Sequence, residues 1–418
     1  MPKNLYSIGK YVALGIMVVV IGALVGWFFV LRSQTESTLS NDAARGFGAP
    51  SPIGNAGTFT NGISSVATNT GGEGVPSQVA QLWHVDTTPV AGFGFTTSEK
   101  HAVYFAERAT GHVFIADMQT GETHRLTNTL NPKTYEAVFA RDGSVVLRNV
   151  NENTGAIESF AGNIGTSSNS APSSLIGLNL ESNIRHVSAN PDSHTLFYLL
   201  RDSETTIGIV APWNGKNEKR VFTSNLDSWR PTILVDGRLF VSLLPHDGVA
   251  GYAYEIKKDG SLNPLLRGLP GLTFLPQSSS TAMLYGASGG TLRLYLQASS
   301  SAKRVELPLK TVADKCGWGP APSKLKTASS TPNLVYCAVP GTISTGKFLE
   351  MWYRGALHTS DALWRINADT GETALIYSPE SEGEEIDAMN LAVDPTGGYL
   401  GFINSTDASF WMLRLNKI

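Results

Sequence analysis

The residues of this 418-residue chain that could carry chemistry are few and scattered. Gly286-Ala-Ser288-Gly-Gly290 has the letters of the G-x-S-x-G nucleophile elbow, but that elbow needs a strand-to-helix turn, and the flanking runs here read as two strands. A hairpin turn is the expectation. The eight histidines, His84, His101, His112, His124, His186, His194, His246 and His358, contain no H-x-x-x-H or H-E-x-x-H pair, so their spacing defines no metal set. The run Asn149-x-Asn151-x-Asn153-x-Gly155-x-x-Glu158 falls short of a calcium loop, because its Gly comes one place late and its early carboxylates are missing. It reads as a polar hairpin loop. Glu380, Glu382, Glu384 and Glu385 form an acidic run that is either a solvated loop or a site for a basic partner. No catalytic residue, metal site or cofactor is expected from this inventory.

The two cysteines, Cys316 and Cys337, lie 21 positions apart, on the first and second strands expected in one repeat. Neighbouring antiparallel strands can bring their Cα atoms within the ~7 Å that a disulfide requires. Closing a loop of that length is worth about 3 kcal/mol in the chain-entropy model. A structural disulfide is expected, with two buried free thiols as the alternative.

These residues must be positioned by short strands. From about Val79 onward a β-rich unit recurs, each copy running strand, polar turn, strand, strand, Gly turn, strand. The first turn is visible in Arg141-Asp142-Gly143-Ser144, Asn190-Pro191-Asp192-Ser193, Val235-Asp236-Gly237-Arg238 and Asp394-Pro395-Thr396-Gly397, with weaker forms elsewhere. Taking Glu99, Asp142, Asp192, Asp236, Ser279, Thr331 and Asp394 as markers, the intervals are 43, 50, 44, 43, 52 and 63 residues. Seven markers imply seven blades. The second turn recurs in Asp117-Met-Gln-Thr120-Gly121, in Asp369-Thr370-Gly371 and in Lys258-Asp259-Gly260. The last unit ends on its third strand, Phe410 to Leu415, and Val79 to Val85 is β-like, so the start of the domain is expected to complete the final blade and hide both sheet edges.

These turns resemble those of the TolB-like, WD40-like bacterial propeller repeat, with its aspartate-led outer turn followed by Leu-Thr and its S-P-D-G opening. Leu126-Thr127 and Asp394-Pro395-Thr396-Gly397 carry the likeness. It covers about residues 79–418 and implies an all-β, seven-bladed β-propeller. The Trp-Ser before Pro-Asp-Gly is absent throughout and blades five and six have lost their Asp, so no function transfers with it. TolB itself would suggest a part in a larger envelope machine.

Composition agrees with many short strands: 42 residues are Gly, above the usual ~7%, and 16% are charged, below the usual ~25%. A net charge of −3 provides no electrostatic footprint for nucleic acid. Before the repeats, residues 11–31 (YVALGIMVVVIGALVGWFFVL) carry no charge, and at ~1.5 Å per residue they span a ~30 Å hydrocarbon core. Lys3 and Lys10 precede this run and only Arg32 follows at once, which by the positive-inside rule keeps residues 1–10 cytoplasmic and exports the rest. A cleaved signal peptide is the alternative, disfavoured by the length of the apolar run. Its Gly22-x-x-x-Gly26 could pack helices, although Gly is common in such segments. Residues 32–78, rich in Ser, Thr, Gly and Asn, are expected to be a flexible linker. The domain expected is residues 79–418, at the cell membrane and extracytoplasmic.

In propellers, the loops between a blade's second and third strands and the blade-to-blade links open on one face. Blade six has an expanded loop there, about Pro340 to Ser360, with Phe348, Met351, Trp352, Tyr353 and Arg354; aromatics with Arg are typical of interface hot spots. Trp229 and Arg230 precede blade four, His246 lies in that blade's loop, and Glu384 and Glu385 lie in the link after blade six. This set is the expected binding face for a protein or glycan, with Trp352 and Tyr353 capping the loop onto the rim as the alternative. An extracytoplasmic enzyme acting on glycans is the competing reading. It requires carboxylates about 5–10 Å apart at the channel mouth.

Overall fold

A computed structural model describes residues 80–97, 101–165, 173–321, 332–343 and 346–415. The chain separates into two units, Met1–Glu73 and Gly74–Ile418, and all described residues lie in the second. The expected membrane helix (11–31) and linker lie outside the described residues. Among the described residues no helix is long and apolar enough to cross a membrane.

The second unit is a seven-bladed β-propeller of seven four-stranded antiparallel sheets. The first strands of the blades are Val90–Phe95, Thr134–Phe139, Ile184–Ala189, Trp229–Ile233, Thr273–Pro276, Cys316–Trp318 and Ala388–Val393. The first strands of blades one to four pack each on the next, as do those of blades six and seven, which sets them around the axis. The ring closes as the sequence implies: Leu82–Asp86 pairs with Phe410–Arg414, with Leu82 opposite Leu413 and His84 opposite Trp411. This strand supplies the seventh blade's outer edge.

The marker residues have a mechanical role. Asp142, Asp236 and Asp394 lie between first and second strands and accept backbone N–H bonds from Ser144 (3.0 Å), Arg238 (3.1 Å) and Thr396 (2.9 Å). The glycine that follows each one is left-handed, as at Gly143 with φ 89°. In blade three Asn190 takes over that capping, accepting from Asp192 and Ser193. Ser279 occupies the same slot in blade five, while Glu99 and Thr331 lie outside the described residues. Asp117 caps the second turn in blade one and Asn367 does so in blade six, two places before Asp369.

The apolar core sits between neighbouring sheets, as where Val103 and Phe105 of blade one meet Phe410 and Met412 of blade seven. Near the axis the sheets approach so closely that only glycine fits. A Cβ on Gly92 would lie 2.0 Å from the Ala137 carbonyl oxygen, and one on Gly317 would lie 2.5 Å from that of Leu391. Cys316 lies directly opposite Cys337, with Cα atoms 4.1 Å apart, and the two form a disulfide. Ser288 ends one hairpin strand opposite Leu292, which begins the next, so the G-x-S-x-G letters form a hairpin turn. Asn149 to Glu158 is likewise a hairpin, closed by Asn151 donating to Glu158 at 2.7 Å.

Gly92→Ala is expected to cost at least about 2 kcal/mol, since the clash is with backbone that cannot move without shifting a blade. Gly289→Ala, whose Cβ would meet nothing closer than 3.7 Å, should stay within about 0.5 kcal/mol of the parent. Denaturant unfolding of the two variants checks this.

Candidate functional site

The expanded loop of blade six folds into a six-residue helix, Phe348–Tyr353, between the second and third strands. Phe348, Leu349 and Trp352 (2, 0 and 8% exposed) face inward and pack with Leu292 and Val312. Met351, Tyr353 and Arg354 remain on the outside. Trp352 is therefore a rim anchor, and this part of the expectation resolves toward the capping alternative. Trp229 is also inward, wedged edge-on between Phe222 and Tyr254 with its Nε1–H given to Ser224 at 2.9 Å. It supports the wall instead of the face. His246 is half-exposed, its Nδ1 3.9 Å from Glu350, and Glu384 and Glu385 are exposed in the link after blade six.

Three sets of contacts pin the insert. Asp247, from the blade-four loop, accepts the backbone N–H of Leu349 at 2.7 Å and the hydroxyl proton of Ser288. The serine of the G-x-S-x-G run is thus committed to a structural bond. Trp352 Nε1–H donates to both oxygens of Asp387, at 2.9 and 3.2 Å, in the link to blade seven. Tyr353 donates its hydroxyl proton to Asp314 in the link before blade six, and Arg230 of blade four donates to the same carboxylate at 2.7 Å. One insert thereby ties together blades four, six and seven.

Behind Trp352 lies a buried charge cluster. Lys315, fully buried, donates to Asp361 at 2.6 Å, Asp387 at 2.5 Å and Thr359 at 3.1 Å, and its Nζ sits 4.8 Å from the centre of the Trp352 ring. Burial works against the charge of Asp387, but Lys315 and the donors Ser405 and Trp352 outweigh it and hold the carboxyl below its usual range. At Asp361 burial wins and pushes the carboxyl up. Asp387 is the firmer charge of the two.

Ser405, His358 and Asp387 come within hydrogen-bond reach of one another, yet not in the order nucleophilic catalysis needs. Ser405 gives its proton to Asp387 at 2.5 Å, while a single imidazole nitrogen, Nδ1, faces both Asp387 (3.3 Å) and Ser405 (3.2 Å). A catalytic serine must instead donate to an imidazole whose other nitrogen is held by the carboxylate.

Beneath the insert the channel holds a cavity of about 490 Å³ walled by first strands of blades two to seven. Its charged wall groups are Glu136, Arg230 and Asp314, with His186 and Asn390 beside them. Arg148 donates to Glu136 and also to the carbonyls of Ile184 (2.6 Å) and Arg185 (3.1 Å), latching blade two to blade three. Burial lowers the His186 pKa to about 4, helped by the charges of Arg230, Arg148 and Arg185. Its imidazole has no hydrogen-bond partner among the described residues. Asn390 is left-handed, at φ 55°, where the register of the blade-seven strand shifts. Among the described residues no group of three His, Cys, Asp or Glu side chains could hold a metal ion.

Of the residues expected on the face, His246, Tyr353, Arg354, Glu384 and Glu385 are exposed and Arg230 lines the channel, whereas sequence reasoning missed Asp247, Asp314, Lys315, Asp387 and His186. Each is a lone polar residue whose partner lies tens of residues away, such as Lys315 and Asp387, 72 positions apart. No local pattern marks such pairs.

No protein-family model matches the chain, and no curated protein matches it in sequence. Solved propellers do resemble it. The propeller domain of the trilobed protease from Pyrococcus furiosus is 13% identical, with a TM-score of 0.48, covering 78% of this chain and 98% of that one. An oligogalacturonate lyase in complex with manganese is 11% identical, with a TM-score of 0.49, covering 82% and 94%. TolB from Acinetobacter baumannii is 11% identical, with a TM-score of 0.39, covering 74% and 61%. At these identities the likeness is one of fold alone.

Two outcomes test the site. Lys315→Ala leaves two buried carboxylates without their cation and should cost about 3–5 kcal/mol, with the insert becoming the first point of proteolytic cleavage. His186 titrates below its ordinary 6.5, so the unfolded chain takes up that proton first and stability is lost as pH falls from 6.5 toward about 4. His186→Gln should remove up to about 3 kcal/mol of that acid sensitivity in denaturant melts at successive pH values.

Proposed function

We propose that the protein is a membrane-anchored, extracytoplasmic propeller of the TolB-like repeat type that serves as a binding or scaffold module. Its ligand is a protein or glycan at the cell envelope, bound on the face around the blade-six insert. The observation that carries this reading is the pinning of the insert by Asp247, Asp387 and Asp314 from outside its own loop. A segment so fixed loses little conformational entropy on binding, which is how preorganised surfaces gain affinity. Met351 and Tyr353, 40 and 39% exposed, stand on it beside Arg354, and these residue types are enriched at interface centres. The uncharged run at 11–31 and the lysines before it support the anchor and its orientation.

A glycan-active enzyme is the second reading, favoured by one observation: Glu136 and Asp314 reach one cavity from different blades. Each already accepts a bond from an arginine.

Affinity capture with the full-length protein from detergent-solubilised envelopes tests the face. Met351→Ala/Arg354→Ala should recover the parent's partner at least about tenfold less well, as loss of two hot-spot side chains would produce. Equal recovery by parent and variant would remove the face from consideration. Turnover of a glycan panel that is lost in Glu136→Gln would replace the binding reading with the enzymatic one.

A further inference from the structure

The side chains of Lys315, Asp361 and Asp387 have no exposed surface, and the Trp352 ring closes over the cluster with its centre 4.8 Å from Lys315 Nζ. A buried ion cluster adds little net stability over an apolar replacement. This one has a further property: an amine is held against two carboxyl groups at once, Nζ lying 2.6 Å from Asp361 Oδ2 and 2.5 Å from Asp387 Oδ1. The two carboxyls differ in their surroundings. Asp387 collects the Nε1–H of Trp352 and the hydroxyl proton of Ser405, which favour its ionised form. Asp361 accepts the backbone N–H of Ala388 on Oδ2 at 2.8 Å, and burial pushes its carboxyl up toward the neutral acid. Between them stands the Thr359 hydroxyl, 3.1 Å from Nζ, 2.8 Å from Asp361 Oδ1 and 2.9 Å from Asp387 Oδ1. It can accept a proton from one neighbour and pass its own to another.

From this geometry we infer that Lys315 and Asp361 join in an intramolecular isopeptide bond, with Asp387 as the general base. In a site closed to water, moving the ammonium proton through Thr359 to Asp361 Oδ1 replaces an ion pair by a neutral amine and a neutral acid, which low dielectric favours. The Nζ lone pair attacks Asp361 Cγ and the carbonyl electrons move onto Oδ2, where the Ala388 N–H meets the developing charge. Asp387 then takes a proton from Nζ and returns it through Thr359 to the hydroxyl at Oδ1, which leaves as water while Oδ2 becomes a carbonyl again. One C–N bond forms, one C–O bond breaks and one water is released. Asp387 ends ionised as it began, and the balance needs no co-reactant. The two residues stand 46 positions apart, and the loop that their bond closes contains both the Cys316–Cys337 disulfide and the whole blade-six insert. Two covalent links then fasten the base of the insert. The inference does not depend on what the outer face binds.

Mass spectrometry of the full-length protein, folded in detergent and then reduced and denatured, reads the bond directly. The parent should be about 18 Da lighter than its sequence requires, the mass of one water. Trypsin should release residues 311–324 joined to residues 355–365, because an acylated Lys315 is no longer a cleavage site. Asp361→Ala removes the acyl group and Asp387→Asn the base. Both variants should have their full mass and release residues 311–315 and 355–365 as separate peptides. If either fails to fold, the parent's peptides decide. Separate peptides from the parent would overturn the proposal and leave the cluster as an ion pair only. Lys315 joined to the peptide that carries Asp387, or complete linkage in Asp387→Asn, would overturn the roles assigned to the two carboxyls. A purely structural cluster would lower the Tm of the variants as well, but it would never produce the branched peptide.

Discussion

The pairing of the domain's first strand with its last is the contact on which the packing of the first and seventh blades depends. The strand Leu82–Asp86 lies beside Phe410–Arg414, so residues more than 300 positions apart in sequence form one hairpin-like pair. Without it the seventh blade would present a row of unpaired backbone groups and the first and seventh blades would lose their common packing at Phe105, Phe410 and Met412. Closure brings the first and seventh blades into contact and so completes the ring of seven sheets. That in turn fixes how near the inner strands must come, and the glycines at positions 92 and 317 record this limit because no side chain fits between those strands.

On that frame, polar pairs of long sequence separation determine where the insert lies. Lys315 joins blade six to the link into blade seven, Asp247 reaches from blade four, and Asp314 receives both Arg230 and Tyr353. Buried ion pairs seldom add much net stability, because desolvation cancels most of the Coulomb gain. What they do well is reject alternatives: a displaced insert would leave Asp387 without the Trp352 donor and Asp247 without its backbone partners. The cost of an unpaired buried carboxylate thus acts as a positional constraint, and apolar contacts of Phe348 and Leu349 supply the attraction.

The sequence displays the frame far better than the site, for a physical reason. A blade turn is local. Asp142 caps Ser144 and Gly143 supplies the left-handed residue, all within four positions, so the signal repeats each time the turn does. The facing of Cys316 and Cys337 was legible on the same grounds, as two residues on adjacent strands of one blade. By contrast His186 owes its depressed basicity first to burial and then to the charges of Arg230, Arg148 and Arg185, surroundings that the folded ring assembles. Trp229 and Trp352 misled for a related reason: aromatic residues near a loop can point to solvent or to the core. Which way they point is decided by neighbours such as Phe222, Tyr254 and Asp387 that no local window contains.

Tyr353 is where the face and the channel meet. Its ring is partly exposed on the outer surface and also lies 5.7 Å from the Arg230 guanidinium, while its hydroxyl holds the carboxylate that holds Arg230. Burial and the neighbouring Asp314 charge both push its phenol pKa up, so the hydroxyl remains a donor at any physiological pH. A group bound outside that shifted Tyr353 would alter the hydrogen bonds of Asp314 and hence the donors Arg230 can offer within. Tyr353, Asp314 and Arg230 therefore form one hydrogen-bonded chain from the outer surface to the channel wall.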